Sequence, residues 1–305
     1  MHLSQVAHWA NQLESPHWMA VHREMPVRIV NSKQNARLKE LRRTLRSPER
    51  RAGGLVGIEG PNLLDEAVRA GLRFRYLFIS EGQGLFRPVS ANRQFEDCET
   101  LAVPSTILSS ALGTETPQPI AALVEVPEWT WEHLFPQQRV FPQPETPALI
   151  VVLAGLQDPG NLGTILRSAE AFGANGIVAL PGTVSPWNQK AMRASAGSIF
   201  RLPLIQAGVD ECFLRLREAG VKVLTTALRD GTPAHMVDFT QPTALLIGNE
   251  GNGVPDEIAA KAAAAVTIPC PGPVESLNAS VAASVLLYEA LRQRHAAPQA
   301  KRNLA

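Results

Sequence analysis

Ile268-Pro269-Cys270-Pro271-Gly272-Pro273-Val274-Glu275-Ser276-Leu277-Asn278 precedes a run of small and aliphatic residues over 279–294. The prolines and the glycine predict a rigid turn, and the run after it predicts a long helix. Two upstream stretches, 161–172 and 245–255, also join an apolar run to a loop and a helical pattern. We expect the three loops to meet in one pocket at the carboxyl edge of a sheet.

The composition is that of a globular protein with room for two domains. The chain has 305 residues, of which 45% are hydrophobic and 19% charged,. Its three cysteines, Cys98, Cys212 and Cys270, are far apart and form no CxxC pair. They therefore predict neither a disulfide framework nor a zinc site, which is typical of a cytoplasmic protein. We expect no signal peptide and no membrane span.

Charge is distributed unevenly along the chain. Residues 23–51 contain ten Lys or Arg and three Glu, whereas residues 55–147 contain six basic and twelve acidic residues. A basic segment of this kind suits a polyanionic partner such as nucleic acid. An ordinary solvated helix face would produce the same composition, so charge alone does not decide between the two interpretations.

The pattern divides the chain into five parts. We predict an extension over 1–27, a small α/β domain over 28–126, a proline-rich linker over 127–147, a larger α/β domain over 148–296 and a tail over 297–305. In the small domain, Ser32 is predicted to cap a helix over 33–45. Further predicted elements are strands at 55–58, 76–79, 101–104 and 120–126, and helices at 63–70 and 105–112.

From residue 148 onward, strand and helix patterns alternate, which predicts a parallel sheet with helices on both faces. The predicted strands are 148–154, 176–180, 201–205, 221–226, 244–248 and 266–268, and the predicted helices are 162–172, 188–198, 209–219, 255–265 and 279–294. Ligands of such sheets bind at the carboxyl ends of the strands.

The residues of each loop indicate which kind of ligand it could bind. In the first loop, 157–163, Asn161 could be only a helix cap, and Arg167 beyond it only a surface charge. The second loop, 248–255, is rich in glycine, but Glu250 would repel a phosphate, so a neutral or cationic ligand fits better. The third loop, 268–278, offers Ile268 and Leu277 as apolar walls suited to an adenine ring. None of the loops contains a Ser/His/Asp set or a metal-ligand cluster.

Taken together, the loops resemble a known family. Asn161-Leu162-Gly163-Thr164-Ile165-Leu166-Arg167, Gly248-Asn249-Glu250-Gly251-Asn252-Gly253 and Ser276-Leu277-Asn278 are similar to the three motifs of the SpoU/TrmH RNA 2′-O-ribose methyltransferases of the SPOUT superfamily. The resemblance covers residues 148–294 and includes 190–197. Residues 28–125 resemble the family's L30e-like substrate-binding domain, on Glu59-Gly60, Glu66-Ala67 and the basic helix.

The resemblance implies a C-terminal parallel sheet tied in a deep trefoil knot, bound S-adenosylmethionine and a homodimer formed through the C-terminal domain. The residues it implies for catalysis are Arg167, Asn161, Glu250, Ser276 and Asn278. Those it implies for cofactor binding are Leu246, Gly248, Asn249, Gly251, Ile268, Leu277 and Asn278. Arginine is a poor base because its ordinary pKa lies above about 12. Stabilisation of the developing alkoxide, or a hold on the adjacent phosphate, therefore suits Arg167 better.

The substrate implied is structured RNA, with ribosomal RNA preferred to transfer RNA because of the additional N-terminal domain. The residues predicted to contact RNA are Lys33, Lys39, Arg42, Arg43, Arg46, Lys190 and Arg193. We expect a cytoplasmic enzyme with no metal. Two alternatives stay open at this point: a transfer-RNA methyltransferase, and a catalytically silent RNA-binding protein of the same fold. A dinucleotide-dependent oxidoreductase is disfavoured because no GxGxxG follows a first strand.

Overall fold

The structure is a computed structural model that describes residues 27–46, 54–81, 93–114, 116–135 and 147–302. Most of the predicted extension, residues 136–146 of the predicted linker and the last three residues of the predicted tail lie outside the described residues. The chain divides into two compact units, Met1–Pro127 and Glu128–Ala305. Within the described ranges, no helix is both long enough and apolar enough to cross a membrane.

Over its described residues, the first unit is a five-stranded mixed sheet with three α-helices. Its elements are β1 Val27–Ile29, α1 Ala36–Arg46, β2 Leu55–Glu59, α2 Pro61–Arg69, β3 Arg73–Ser80, β4 Glu99–Val103, α3 Ser105–Leu112 and β5 Ile120–Glu125. The strand order is β1-β4-β3-β5-β2, in which β5 runs antiparallel to both of its neighbours. The predicted strands and helices of this region are all present, with ends displaced by up to three residues.

Helix α1 packs its apolar stripe onto the sheet. Leu38, Leu41 and Leu45 are buried in one cluster with Phe78 and Leu123. Gly57 permits this approach, because a Cβ there would lie 2.5 Å from the Thr44 hydroxyl oxygen. The predicted cap of this helix was wrong.

Asn35, rather than Ser32, caps α1. Its Oδ1 accepts hydrogen bonds from the backbone N–H groups of Arg37 (2.8 Å) and Leu38 (3.4 Å). Ser32 instead accepts a bond from the N–H of Gln34 (3.2 Å), within the turn before the helix. Both residue types favour the cap position, so the sequence alone could not tell which of the two would occupy it.

The second unit is a parallel sheet covered by helices. Its elements are β6 Leu149–Leu153, α4 Pro159–Ala171, β7 Gly176–Ala179, α5 Gln189–Ser195, α6 Ser198–Arg201, β8 Leu204–Gln206, α7 Val209–Glu218, β9 Lys222–Thr226, β10 Thr232–Pro233, β11 Thr243–Ile247, α8 Asp256–Ala259, β12 Ala264–Thr267 and α9 Ala279–Arg302. The strand order is β10-β12-β9-β11-β6-β7-β8, and every pairing is parallel.

The central strands are buried on both faces, as their continuous apolar runs predict. All five residues of β6 and all five of β11 are buried. The two strands pair from Thr243 opposite Leu149 to Ile247 opposite Leu153. Their carboxyl ends therefore lie side by side, and the first and second loops start from adjacent points of the sheet.

Three helix predictions were wrong in extent. The helix predicted over 279–294 continues to Arg302, so α9 includes most of the predicted tail. The helix predicted over 188–198 ends at Ser195, because Ala196 (φ 47°) and Gly197 (φ 83°) adopt left-handed backbone conformations. The helix predicted over 255–265 is reduced to α8, and Ala264 starts β12 opposite Leu224 of β9. Alanine favours helix, but here pairing to an open strand edge outweighs that intrinsic preference.

Part of the predicted linker packs within the second unit. Residues Trp131–Leu134 form a 3-10 turn, and Leu134 is fully buried in the cluster that contains Ile150 and Val178. The indole N–H of Trp131 donates to Glu211 Oε1 on α7 (2.9 Å).

Arg294 anchors the long helix α9 to the segments that lead into β6 and β11. Its guanidinium donates to the carbonyl oxygens of Phe239 (2.9 Å), Pro147, Ala148 and Gln241 (2.6–3.1 Å). Burial lowers the pKa of Arg294 to about 10, so the group is still charged at neutral pH. It thus provides a charged donor to main-chain carbonyl groups that lie just before β6 and β11.

Candidate active site

The first loop ends in a helix start fixed by its own sequence. Asp158 caps α4, with Oδ1 accepting the N–H of Asn161 (2.8 Å), and Pro159 occupies the first helical position, where no N–H is needed,. Gly163 lies against α5, and a Cβ there would overlap the carbonyl oxygen of Ala191 and approach Ala194. The glycine thus lets α4 and α5 touch backbone to backbone.

The second loop is a tight turn at the end of β11. Asn249 and Gly253 exchange backbone hydrogen bonds of 2.9 and 3.0 Å. Gly253 has φ 69°, and a Cβ on Gly248 would overlap the backbone of Gly253. The side chain of Asn249 ties this turn to the first loop through Nδ2, which donates to the carbonyl oxygen of Gly155 (2.9 Å).

The third loop ends at Asn278, which starts α9. Its Oδ1 accepts the N–H of Ser280 (2.9 Å) and the N–H of Val281 (3.3 Å), and the Ser280 hydroxyl also donates to it (2.7 Å). Asn278 is therefore the cap of the closing helix. Its amide nitrogen is left free to point back toward α4.

A directed hydrogen-bond relay joins the three loops. Asn278 Nδ2 donates to Asn161 Oδ1 (3.0 Å), and Asn161 Nδ2 donates to Glu250 Oε1 (2.9 Å). Glu250 also accepts the backbone N–H groups of Asp158 (3.1 Å) and Gln157 (3.3 Å). We call Glu250, Asn161 and Asn278 the relay; it brings together residues that are 117 positions apart.

The relay keeps Glu250 ionised. Burial alone would raise the pKa of Glu250, but hydrogen bonds from Asn161 and from the N–H groups of Asp158 and Gln157 outweigh it and lower the pKa,. The pKa of Asp158 is also lowered, chiefly by the ammonium of Lys190 and then by the N–H of Asn161. Two carboxylates of the first two loops therefore carry full charge at neutral pH.

Arg167 and Ser276 lie outside the relay. Both are exposed, and neither has a hydrogen-bond or ion-pair partner among the residues that the structure describes. Arg167 lies six residues beyond Asn161 on α4, about 9 Å further along its axis. The hydrogen bonds of the Asn161 side chain go to the other relay members, and none within the described residues joins it to Arg167.

The residues predicted to hold the cofactor lie at the carboxyl ends of β11 and β12, which flank β9, and in the third loop. Leu246 is buried near the end of β11, next to Gly248, while Ile268 follows β12 and is half-buried, as is Leu277 of the third loop. The N–H of Gly251 donates to Asn249 Oδ1 (2.8 Å), so these two residues shape the turn. Apolar side chains beside exposed loop backbone suit a flat heterocycle.

Sequence reasoning missed two residues at this edge. Thr226 ends β9 between β11 and β12, and its hydroxyl donates to the carbonyl oxygen of Leu246 (3.0 Å). Asp158 caps α4 and also donates its N–H to Glu250. The Asp-Pro pair before a helix pattern is a recognisable start signal for the second residue. No local signal marks Thr226.

The predicted RNA-contact residues of the second unit differ in their surroundings. Lys190 Nζ forms an ion pair with Asp158 Oδ2 (2.8 Å), so its charge is already partnered. Arg193, on the next turn of α5, is exposed, and its guanidinium makes no ion pair or hydrogen bond with the described residues. Of the two, Arg193 is the one whose charge is available to a phosphate.

The residues of the first unit that are predicted to contact RNA lie on α1 or, for Lys33, just before it. Lys33, Lys39, Arg43 and Arg46 are exposed, and Arg42 is half-buried. The guanidinium of Arg46 lies beside Gly113, at the carboxyl end of α3, which favours a cation,. Among the described residues, no group of three or more His, Cys, Asp or Glu side chains could hold a metal ion.

Two family models match the chain in separate regions. Residues 148–288 match the SpoU rRNA Methylase family, and residues 35–122 match the MRM3-like substrate binding domain. The 23S rRNA (guanosine(2553)-2′-O)-methyltransferase RlmP of Bacillus subtilis is 31% identical over 259 residues, which cover 85% of this chain and 97% of that protein.

Solved structures agree with this assignment. The AdoMet-bound rRNA methyltransferase from Sinorhizobium meliloti superposes with a TM-score of 0.74 at 30% identity, covering 87% of this chain and 98% of that one. The SpoU methyltransferase AviRb from Streptomyces viridochromogenes, in complex with AdoMet, has a TM-score of 0.71 at 30% identity, covering 86% and 98%.

Proposed function

The chain belongs to the SpoU rRNA methylase family, and on that premise we propose that it methylates a ribose 2′-oxygen of 23S ribosomal RNA with S-adenosylmethionine as donor. The observation that supports this best is the relay, which joins all three motif loops at the carboxyl edge of one parallel sheet. The match of the first unit to a substrate-binding domain and the ribosomal-RNA relative favour ribosomal over transfer RNA.

The cofactor supplies a methyl group on a positively charged sulfonium, and the reaction breaks a carbon–sulfur bond, forms a carbon–oxygen bond and releases the proton of the 2′-hydroxyl. We propose that Leu246, Gly248, Ile268 and Leu277 line the cofactor site with backbone groups and apolar side chains. Glu250 holds its own loop in place by accepting three N–H groups from the first loop.

Arg167 is the catalytic residue of this proposal. Its guanidinium is exposed and has no partner in the described chain, so it is free to stabilise the negative charge that develops on the 2′-oxygen, or to bind the adjacent phosphate. The exposed hydroxyl of Ser276 is placed to contact the RNA backbone. Asn161 and Asn278 position the loops through the relay.

The test is methyl transfer from labelled S-adenosylmethionine to ribosomal RNA, with the modified ribose mapped by its resistance to alkaline hydrolysis. We expect Arg167→Ala to lower the rate at least about 100-fold while calorimetry shows S-adenosylmethionine bound as in the wild type. Arg217→Ala, an exposed arginine on α7, is the matched control. A wild-type rate in Arg167→Ala would exclude the proposed role, and a wild-type chain that binds no S-adenosylmethionine would indicate a silent RNA-binding protein.

The first unit is proposed to bring the RNA to the site through α1. Phosphate contacts by Lys33, Lys39, Arg43 and Arg46 predict an affinity that falls steeply with salt, with a slope of about 0.7–0.9 per phosphate contacted. An affinity that does not depend on salt would exclude this role for the helix.

We further propose a homodimer, a trefoil knot and a cytoplasmic location. The exposed residues Val281, Val285 and Tyr288 recur at helical spacing on α9 and form an apolar stripe (39–55% exposed) that a second copy could cover,. Two features support the knot. The chain passes from β11 across β9 to reach β12 on its other side, and α9 then packs against α4 and β11. Light scattering of Val285→Asp tests the dimer, which should then dissociate.

A further inference from the structure

Lys190 links two helices of the active site through Asp158. Its backbone N–H donates to Asn188 Oδ1 (2.9 Å), which fixes the first turn of α5. Its ammonium lies 2.8 Å from Asp158 Oδ2, while the other oxygen, Oδ1, caps α4 at the N–H of Asn161 (2.8 Å). One carboxylate therefore joins the start of α5 to the start of α4.

The same carboxylate residue is tied to the relay. The N–H of Asp158 donates to Glu250 Oε1 (3.1 Å), the oxygen that also accepts Asn161 Nδ2 (2.9 Å). Packing around the pair is close, since a Cβ on Gly160 would lie 2.8 Å from Asp158 Oδ1 and 3.1 Å from Lys190 Cε. The position of Lys190 is thus defined by contacts on two sides as well as by charge.

We propose that Lys190 is a positioning residue for methyl transfer: it holds Asp158, and through Asp158 the helix start that carries Asn161. This rests on the proposed function. The assignment replaces the expectation that Lys190 contacts an RNA phosphate directly.

The two roles predict opposite results for Asp158→Asn. That change keeps a cap oxygen for the N–H of Asn161 but removes the charge that pairs with Lys190. If Lys190 were a phosphate contact, its ammonium would be released and RNA would bind more tightly. If Lys190 positions the site, methyl transfer slows and RNA affinity does not increase.

The experiment uses the full chain and compares Lys190→Met, Asp158→Asn, the double variant and Arg193→Met. Single-turnover methyl transfer is measured at saturating RNA and S-adenosylmethionine, because product release can limit steady-state rates. RNA affinity is measured across a salt series. We expect each single variant to slow transfer about tenfold and the double variant to be no slower than either, since both members act as a unit.

Arg193→Met provides the reference for a phosphate contact. It should reduce the salt slope, the steepness with which the logarithm of RNA affinity falls with the logarithm of salt concentration, by about one. The Lys190→Met variant is expected to keep the wild-type slope, and Lys190→Arg to recover the transfer rate. The Lys190 and Asp158 side chains are largely exposed (59% and 42%), so breaking their ion pair should change the stability of the fold little. Melting temperatures of the variants check that they fold.

The proposal is overturned if Lys190→Met loses about one unit of salt slope, as Arg193→Met does, or if it transfers methyl groups at the wild-type rate. Tighter RNA binding by Asp158→Asn would overturn it as well. A wild-type chain that transfers no methyl group to RNA would instead contradict the proposed function, so the two failures are distinguishable.

Discussion

Replacing Asn161 with aspartate tests the relay with almost no change in shape. The nitrogen that donates to Glu250 Oε1 at 2.9 Å becomes an oxygen that can only accept,. The variant loses a hydrogen bond to a charged group, which contributes about 1.5–3 kcal/mol. It also places two carboxylates about 3 Å apart near the surface, which costs about 1 kcal/mol or more.

The penalty is expected to depend on pH. A proton shared between the two carboxyl groups restores a donor and removes one charge, so the penalty raises the apparent pKa of the pair. The folded-state pKa then exceeds the unfolded value. The stability that the shared proton provides is fully present below the unfolded-state pKa of the carboxyl groups and is lost as the pH rises through the folded-state pKa.

Denaturant unfolding at pH 5, 6, 7 and 8 measures this loss, with calorimetry reporting the affinity for S-adenosylmethionine. Asn161→Asp should approach the wild type at pH 5 and be least stable relative to it at pH 8. Asn252→Asp is the control, because it adds the same charge to the second loop while the Asn252 side chain makes no bond in the described chain. An equal deficit at pH 5 and pH 8, or none at either, would refute the relay as a support of the loops.

Two further predictions concern packing and main-chain satisfaction. Gly163→Ala should lower the free energy of unfolding by about 3 kcal/mol, because its Cβ meets the backbone of α5,; Gly272→Ala, with no atom within 4 Å of its Cβ, should change it by less than about 0.5 kcal/mol. Arg294→Met should lower the free energy of unfolding by about 2–4 kcal/mol, because four main-chain carbonyls lose a charged donor,. In the same measurement Arg294→Lys should recover little of that loss, since one ammonium group cannot reach all four carbonyls.

The fold was largely predictable because its signals are local. Continuous apolar runs such as that of β6 identify buried parallel strands, and periodic leucines identify α1. The predictions failed where two similar signals compete. Asn35 and Ser32 are equally good caps, and the alanines of 259–265 favour helix until Ala264 pairs with Leu224 of β9.

The candidate site was predictable only in part, because its geometry depends on long-range contacts. The sequence predicted that the three loops meet, but not the hydrogen bonds that join them across 89 and 117 positions. The sequence also could not show that Lys190 is paired with Asp158 and Arg193 is not, since both are basic residues on the same short helix. Only packing of α5 against α4 separates their roles.

The ends of the relay determine which residues can stand between them. Glu250 is ionised and can only accept, and the first amides of α9 can only donate,. Each residue between them must therefore accept a hydrogen bond from the α9 side and donate one toward Glu250, with donor–acceptor distances of about 3 Å. Asparagine does this with one rigid side-chain amide, whereas aspartate has no donor and leucine, of similar size, has neither group. Two asparagines in series thus transmit the position of Glu250 to the start of α9, so that the second and third loops are ordered together with the first.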